Sequence, residues 1–168
     1  VEMNAEHPIN FGRCKAKGLP VRLERAIHEK LRHYCIVNNT PEKERSTIRR
    51  YGRHRLYYWV KFCRHSLIRP TTELTSLQWR DIEFVPFRGD KDKLFAVITV
   101  RKAKGSTARA TKERIAIMPF TAMQYVKEWR ELAITYGHGE QGDYVFPTFD
   151  GRQTKAPIVG RLLRRKLI

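Results

Sequence analysis

The spacing of apolar residues along the first third of the chain predicts two helices. Between 21 and 37, apolar residues recur at spacings of three or four, which indicates an amphipathic helix. These residues are Leu23, Ile27, Leu31 and Tyr34. A second helix is predicted from Thr40, as N-cap, with Pro41 at its first position, to about His65. Residues 1–20 lack this periodicity, and we expect an extended entry segment there.

The middle of the chain changes from helical to strand-like patterning. A short helix is predicted from Pro70 to about Gln78, because Pro70 breaks the helix before it. Stretches rich in β-forming residues then predict a small antiparallel sheet, whose last two strands are joined by a long basic loop. The strands are expected at 82–85, 94–101 and 113–118, and the loop at 102–112.

The last third of the chain returns to a helical pattern. A helix is expected over 122–136, with Thr121 as its cap and Gly137 as its terminator. The apolar stretch 143–147 predicts a short buried strand. The segment 157–168 predicts the beginning of another helix.

This order of elements indicates an α+β fold that is mainly helical, with a helix bundle packed on a three-stranded antiparallel sheet. The 168 residues, of which 41% are hydrophobic, suffice for one domain with a buried core. We expect an entry segment or linker at 1–20 and one domain over 21–168. The apolar runs fall far short of the roughly 20 residues of a membrane span. The polar first residues predict no secretory signal.

Charge narrows the class of partner. The chain has 34 Lys and Arg residues against 17 acids, a formal net charge of +17, which favours nucleic acid or another polyanion. Clustered cations predict salt-dependent, largely sequence-neutral phosphate contacts, although a solvated basic surface would share this pattern. Those of the second helix are Arg45, Arg49, Arg50, Arg53, Arg55 and Lys61. Those of the loop are Arg101, Lys102, Lys104, Arg109, Lys112 and Arg114, beside one acid, Glu113. Those of the tail are Arg152, Lys155, Arg161, Arg164, Arg165 and Lys166.

The cysteines and the known motifs exclude several classes of site. Cys14, Cys35 and Cys63 are odd in number, far apart and free of CxxC spacing. This spacing disfavours a disulfide framework and a zinc site, and it favours a reducing compartment. The sequence contains neither a P-loop nor an HExxH zinc motif.

The stretch 66–84 is the most informative for chemistry. Arg69 is predicted to lie where one helix ends and another begins, beside free backbone N–H groups and a partial positive charge. A guanidinium there can clamp a phosphate with two parallel hydrogen bonds. Glu73 follows one turn later as an orienting carboxylate, and Asp81 could hold the same region together. An ordinary Arg–Glu helix pair with a surface Asp would have the same spacing.

The same stretch resembles the first sequence box of the tyrosine recombinases, the phage-integrase family. In that box an Arg is followed by an acid and then by a Leu-x-Trp-x-Asp-Ile segment. The matching residues are Arg69, Glu73, Leu77, Trp79, Asp81 and Ile82. The acid stands four residues after the Arg rather than the usual three. The resemblance implies that Arg69 is the first catalytic arginine and that Glu73 and Asp81 support it.

A second stretch resembles the family's lysine hairpin. There, a lysine at a β-turn precedes a strand that reads roughly Lys-Glu-Arg-hydrophobic-x-hydrophobic-Pro, and residues 112–119 read KERIAIMP. The resemblance implies a catalytic lysine, for which Lys104 is favoured because Gly105 follows it; Lys102 is the alternative. A solvated basic loop is the commoner fate of a single lysine. The cations expected to contact DNA are Arg101, Lys102, Arg109 and Lys112. The stretch 143–147 also resembles the family's short hydrophobic-Phe-Pro piece.

One departure from the family pattern is large. The family uses a His-x-x-Arg box and then a tyrosine nucleophile, but none of the six histidines has an Arg three residues later. Tyr51, Tyr57 and Tyr58 precede Arg69 on a helix with a core-like pattern, so we expect them to be packing residues. The resemblance therefore implies a C-terminally incomplete catalytic domain that is inactive by itself.

The resemblance implies a site-specific recombinase or integrase that breaks and rejoins double-stranded DNA through a 3′-phosphotyrosyl intermediate, without a metal or other cofactor. It also implies self-association of the full-length protein on DNA. The setting would be the cytoplasm, nucleoid-associated, in a protein encoded by a bacterium, phage or other mobile element. The alternatives are a non-enzymatic basic nucleic-acid-binding domain, and a recombinase relic that binds DNA without cutting it.

Overall fold

Four α-helices and three strands make up the described part of the molecule. The computed structural model describes residues 21–88, 90–101 and 113–155. The helices are α1 (Val21–Arg32), α2 (Thr47–Ser66), α3 (Thr72–Thr75) and α4 (Met123–Thr135). The strands are β1 (Ile82–Phe87), β2 (Asp90–Val100) and β3 (Arg114–Met118). A π-helical turn at His33–Val37 continues α1, and 3-10 turns at Trp79–Asp81 and Phe120–Ala122 precede β1 and α4. The mainly helical α+β fold predicted from the sequence is confirmed.

The sheet is antiparallel, as the β-rich stretches predicted, and its strand order is β1-β2-β3. Ile98 in the central strand lies opposite Ile82 on one side and Ala116 on the other. These three side chains are buried, because alternate residues of each strand face the helices. The opposite face is open on β3, where Ile115 and Ile117 are exposed. β2 begins at Asp90, four residues before its predicted start at 94.

An aromatic cluster joins α2 to α4 and to the segment after α4. The ring of Phe146 stacks on Trp129 with centroids 5.4 Å apart and meets Trp59 edge-on at 5.2 Å. The predicted packing tyrosines of α2, which are Tyr51, Tyr57 and Tyr58, are all buried. The Tyr51 hydroxyl donates to the Pro147 carbonyl at 2.8 Å, and burial raises the pKa of Tyr51. This tyrosine is therefore a core residue with a satisfied hydroxyl.

The start of α2 was predicted wrongly. The helix begins at Thr47, and its N-cap is Ser46, whose hydroxyl accepts from the Arg49 amide at 3.4 Å. Thr40 instead opens a turn, with its carbonyl accepting from the Glu44 amide at 2.9 Å. This turn places the buried Glu44 carboxylate 2.9 Å from Arg53 Nη2. A local capping pattern does not predict this tertiary ion pair.

The basic face predicted for α2 is also only partly solvent-facing. Arg53 pairs with Glu44, and Arg55 donates to the Pro147 carbonyl and, at 3.1 Å, to the Thr154 hydroxyl. Both side chains are half-buried, and burial lowers the pKa of Arg55. These two arginines hold α2 against other segments, whereas Arg45 and Arg49 are exposed.

The region around α4 shows one confirmed terminator and two local differences. Gly137 ends the helix with a φ of 83°, a left-handed conformation that favours glycine. The N-cap is Ala122 rather than Thr121. In the stretch 143–147, predicted as a strand, only an isolated bridge from Tyr144 to Gln78 forms, although Val145 and Phe146 are buried. The predictions for 1–20 and 157–168 lie outside the described residues.

The aromatic cluster yields a stability prediction. We expect Phe146→Ala to lower the free energy of unfolding by about 3–5 kcal/mol, because it removes a fully buried ring that three other rings contact. Phe87→Ala, at an exposed position, serves as the control and should change this free energy by less than about 1 kcal/mol. Urea unfolding followed by circular dichroism measures both. Equal losses in the two variants would contradict the proposed core.

Candidate active site

The turn after α2 presents Arg69 to solvent. The helix ends at Ser66, and Leu67 takes a left-handed conformation with a φ of 55°. Ile68 then turns inward, with 2% of its surface exposed, and anchors the turn in the core. The Arg69 side chain, in contrast, is 55% exposed. Pro70 follows it and prevents α2 from continuing.

Glu73 fixes the direction of the Arg69 guanidinium. Its carboxylate is 1% exposed and accepts from Arg69 Nη1 at 3.1 Å and from the Arg69 backbone amide at 3.3 Å. A buried carboxylate that receives both the backbone and the side chain of one arginine leaves that arginine little freedom. The structure therefore brings together Arg69 and Glu73, as the sequence spacing predicted.

Arg114 is a second arginine on the same carboxylate. Its Nη2 donates to Glu73 Oε2 at 2.7 Å, and to the Leu67 carbonyl at 3.4 Å. The Arg114 side chain is 35% exposed, so two partly exposed guanidinium groups share one buried acid. We call Arg69, Glu73 and Arg114 the Glu73 cluster.

Sequence reasoning counted Arg114 only as one loop cation and missed its place in the site. Arg114 begins β3, 41 residues after Glu73 in the chain, and no local spacing relates the two. The available clue was its position as the last cation before the apolar return strand. A strand start is placed by the sheet, so its side chain can reach a neighbouring segment.

Asp81 is a second buried acid, and it orients a third arginine, Arg101. Its carboxylate, 2% exposed, accepts from Arg101 Nε at 2.5 Å and from the Gln78 amide at 3.0 Å. The hydrogen bond and charge of Asp81 raise the pKa of Arg101. Arg101, predicted to contact DNA, is 51% exposed and is thus oriented by a buried acid.

Two residues that flank the predicted lysine loop both bind the segment that carries Arg69. Arg101 precedes the loop and binds Asp81, and Arg114 follows it and binds Glu73. Lys102, Lys104, Arg109 and Lys112 themselves lie outside the described residues. The placement of Lys104 relative to Arg69 therefore stays a prediction.

The helix expected to begin at Pro70 is much shorter than predicted. α3 covers one turn, Thr72–Thr75, and starts three residues after Arg69. A single turn has little macrodipole, so the partial charge of a helix start cannot orient a ligand here. Side-chain carboxylates, rather than a helix end, organise this site.

The described residues offer little other chemistry. Within the described ranges, no group of three or more His, Cys, Asp or Glu side chains could hold a metal ion. Cys35 and Cys63 are free thiols, and burial raises the pKa of each to about 12. In the same ranges, no helix is long and apolar enough to cross a membrane.

Comparison with known proteins supports the fold. No family model and no curated protein sequence matches the chain. Among solved structures, it is similar to the crystal structure of XerA recombinase, with a TM-score of 0.52 and 20% sequence identity. The match covers 94% of this chain and 45% of the recombinase chain. The described domain therefore has a tyrosine-recombinase-like fold, and it spans less than half the length of that recombinase.

The Glu73 cluster predicts a specific stability loss. We expect Glu73→Gln to lower the free energy of unfolding by about 1–3 kcal/mol, because two guanidinium groups lose a buried charged acceptor. Solvent exposure of both arginines keeps the loss below that of a fully buried pair. The control is Glu113→Gln, an exposed acid next to Arg114, which should be nearly neutral. Urea unfolding would contradict the cluster if the two variants behaved alike.

The strained turn predicts a stabilising change. We expect Leu67→Gly to raise the free energy of unfolding by about 0.5–1 kcal/mol, because glycine relieves the left-handed strain and only part of the gain is lost to backbone entropy. The Leu67 side chain is 82% exposed, so little buried surface is lost. Leu67→Ala keeps the strain and is the control, for which we expect no gain. Thermal unfolding measures both variants, and a gain in the alanine variant would contradict the strain argument.

Proposed function

We propose that this chain is the larger part of the catalytic domain of a site-specific tyrosine recombinase of the phage-integrase type. Its substrate would be double-stranded DNA, broken and rejoined through a 3′-phosphotyrosyl intermediate. The observation that carries the proposal is the Glu73 cluster, in which two partly exposed arginines are oriented by one buried acid. The cluster occurs on a recombinase-like fold. Arg69 and Glu73 belong to the stretch that resembles the family's first box, and Arg114 to the stretch that resembles its lysine hairpin.

The geometry suits stabilisation of a phosphoryl transition state. Negative charge builds on the non-bridging oxygens of a five-coordinate phosphorus, and oriented cations lower its energy most. Arg69 would bind these oxygens, since it is always protonated and can donate two parallel hydrogen bonds. Glu73 would act as a positioning residue, and Arg114, on the same acid, would add a second oriented cation beside Arg69.

Two further roles rest on residues beyond the cluster. Lys104 would protonate the leaving 5′-oxygen as a general acid, the role that the resemblance to the family's lysine hairpin implies. The residues that flank its loop, Arg101 and Arg114, bind Asp81 and Glu73. None of the six histidines begins a His-x-x-Arg box, and we assign the nucleophile to none of the seven tyrosines. The proposed reaction therefore requires groups that this sequence does not contain, and the 168 residues alone should form no covalent adduct with DNA.

The non-enzymatic alternative accounts for less of the structure. A basic nucleic-acid-binding domain would explain the net charge of +17, but solvated arginines would serve that purpose equally well. Burying Glu73 to hold two arginines is costly, and bulk attraction to DNA does not require it. The proposal includes self-association on DNA and a role in phage or mobile-element integration.

The proposal predicts a loss of strand cleavage without loss of DNA binding. The experiment uses the complete product of the gene. We expect Arg69→Ala to reduce covalent adduct formation on a nicked duplex by about 100-fold or more, because the transition state loses one oriented cation that stabilises its charge. Denaturing gels measure the adduct, and fluorescence anisotropy measures the affinity for the duplex, which should change little. The control is Arg49→Ala, an exposed arginine at the start of α2.

The outcomes of this experiment separate the hypotheses. Undiminished cleavage by Arg69→Ala would refute the catalytic role of this residue. If the gene-length wild-type protein binds DNA but forms no adduct, the non-enzymatic alternative or the relic is correct instead.

A further inference from the structure

A basic groove lies between α1, α2 and α4 and shares no residue with the Glu73 cluster. Its volume is about 510 Å³, within the range of about 300–1,000 Å³ that is typical of small-ligand sites. Two arginines and a lysine line it, Arg25 from α1 and Lys61 and Arg64 from α2; the Arg64 guanidinium also contacts His28, another lining residue. The acid in its wall is Glu29, which also pairs with Arg32 at 4.0 Å.

Lys61, one of the cations that line the groove, lies against two aromatic rings. The Lys61 ammonium lies 4.8 Å from the centroid of the Tyr125 ring and 5.4 Å from that of Tyr57. The His65 ring stacks on the Tyr125 ring, with centroids 5.6 Å apart and an interplanar angle of 21°. Within the described part of the chain, Lys61 has no carboxylate at ion-pairing distance. An ordered cation without an acidic partner is available to an anion.

Helix electrostatics explain only part of this arrangement. Cations near the C-terminus of α2 are favoured by its macrodipole, which accounts for Arg64 and His65 in the last turn. Lys61 lies more than one turn from the end, and Arg25 belongs to another helix. Their convergence on one groove therefore needs a different reason.

We propose that this groove binds phosphate groups, through Lys61, Arg64 and Arg25, as a second anion site separate from the Glu73 cluster. Ammonium and guanidinium groups recognise phosphate by charge-assisted hydrogen bonds, and the three cations come from two helices that hold them apart. The phosphate would come from the backbone of bound DNA or from a small free polyphosphate. The groove chemistry is the same for both sources, so the experiment must separate them.

The first arm of the test uses inorganic pyrophosphate and calorimetry on the 168-residue chain. Arg69→Ala is the background for all variants, because it weakens the competing cluster. We expect Lys61→Gln/Arg64→Gln to lower the affinity for pyrophosphate by about tenfold or more, because charge-assisted hydrogen bonds are lost. Arg45→Gln/Arg49→Gln removes the same charge from two exposed positions, one just before α2 and one in its first turn, and is the matched control.

The second arm uses a duplex of arbitrary sequence and fluorescence anisotropy over a range of salt concentrations. If DNA supplies the phosphates, the groove variant should make the slope of log K against log salt shallower by about 1.8, the value for two lost contacts. The control pair should change this slope less. A loss of pyrophosphate binding with an unchanged DNA slope would identify a small free polyphosphate as the source.

Two further measurements keep the test independent of folding. Arg25→Gln changes only an exposed side chain on α1. It should also lower the affinity for whichever probe Lys61→Gln/Arg64→Gln binds less tightly. Burial and the charges of Arg64, Lys61 and His28 lower the pKa of His65. A phosphate in the groove would offset those charges, so NMR titration of the His65 ring should show its pKa rising when the bound probe is added.

The result that overturns the proposal is clear in both arms. If the groove variant and the control pair bind pyrophosphate and DNA alike, the groove is not a phosphate site. Loss of adduct formation by Arg69→Ala tests the proposed recombinase function alone, so either hypothesis can fail while the other survives.

Discussion

The buried carboxylate of Glu73 is the interaction on which the candidate site depends. It accepts from the backbone and side chain of Arg69 and from the side chain of Arg114, and so connects the turn after α2 to the start of β3. A charge in this position is stable only while its cationic partners remain. The same requirement fixes both guanidinium groups before any ligand arrives, which is the condition for effective electrostatic catalysis.

The rest of the fold supports this connection from two directions. Ile68 and Leu74 are buried on either side of Arg69, so the core holds the turn while the arginine itself reaches solvent. Asp81 repeats the arrangement with Arg101 at the end of β2. Arg101, directly after β2, and Arg114, at the start of β3, thus lie at the same end of the sheet, each bound to a buried acid, on a fold similar to that of XerA recombinase.

Local patterns predicted the elements that have strong periodicity of their own. β3 alternates between buried and exposed residues and α4 has an apolar stripe, so the bounds of both were predicted to within one residue, whereas β2 begins four residues before its predicted start. The start of α2 was missed, because Thr40 and Ser46 are both plausible caps. The ion pair of Glu44 with Arg53, which accompanies the choice of Ser46, lies outside any capping motif. Stretch 143–147 was buried as predicted, but its pairing depended on Gln78, a distant partner.

The amino-acid sequence by itself determined the α+β class, the excess of positive charge and the order Arg69, Glu73, Asp81 along one segment. It could also pair Arg69 with Glu73, since a separation of four residues is a local relation. Only the tertiary structure decided that Arg114 shares the Glu73 carboxylate and that Lys61, Arg64 and Arg25 meet at one groove. The physical reason is that such contacts follow from how sheet and helices pack, and packing brings together residues whose spacing in the chain carries no periodic pattern.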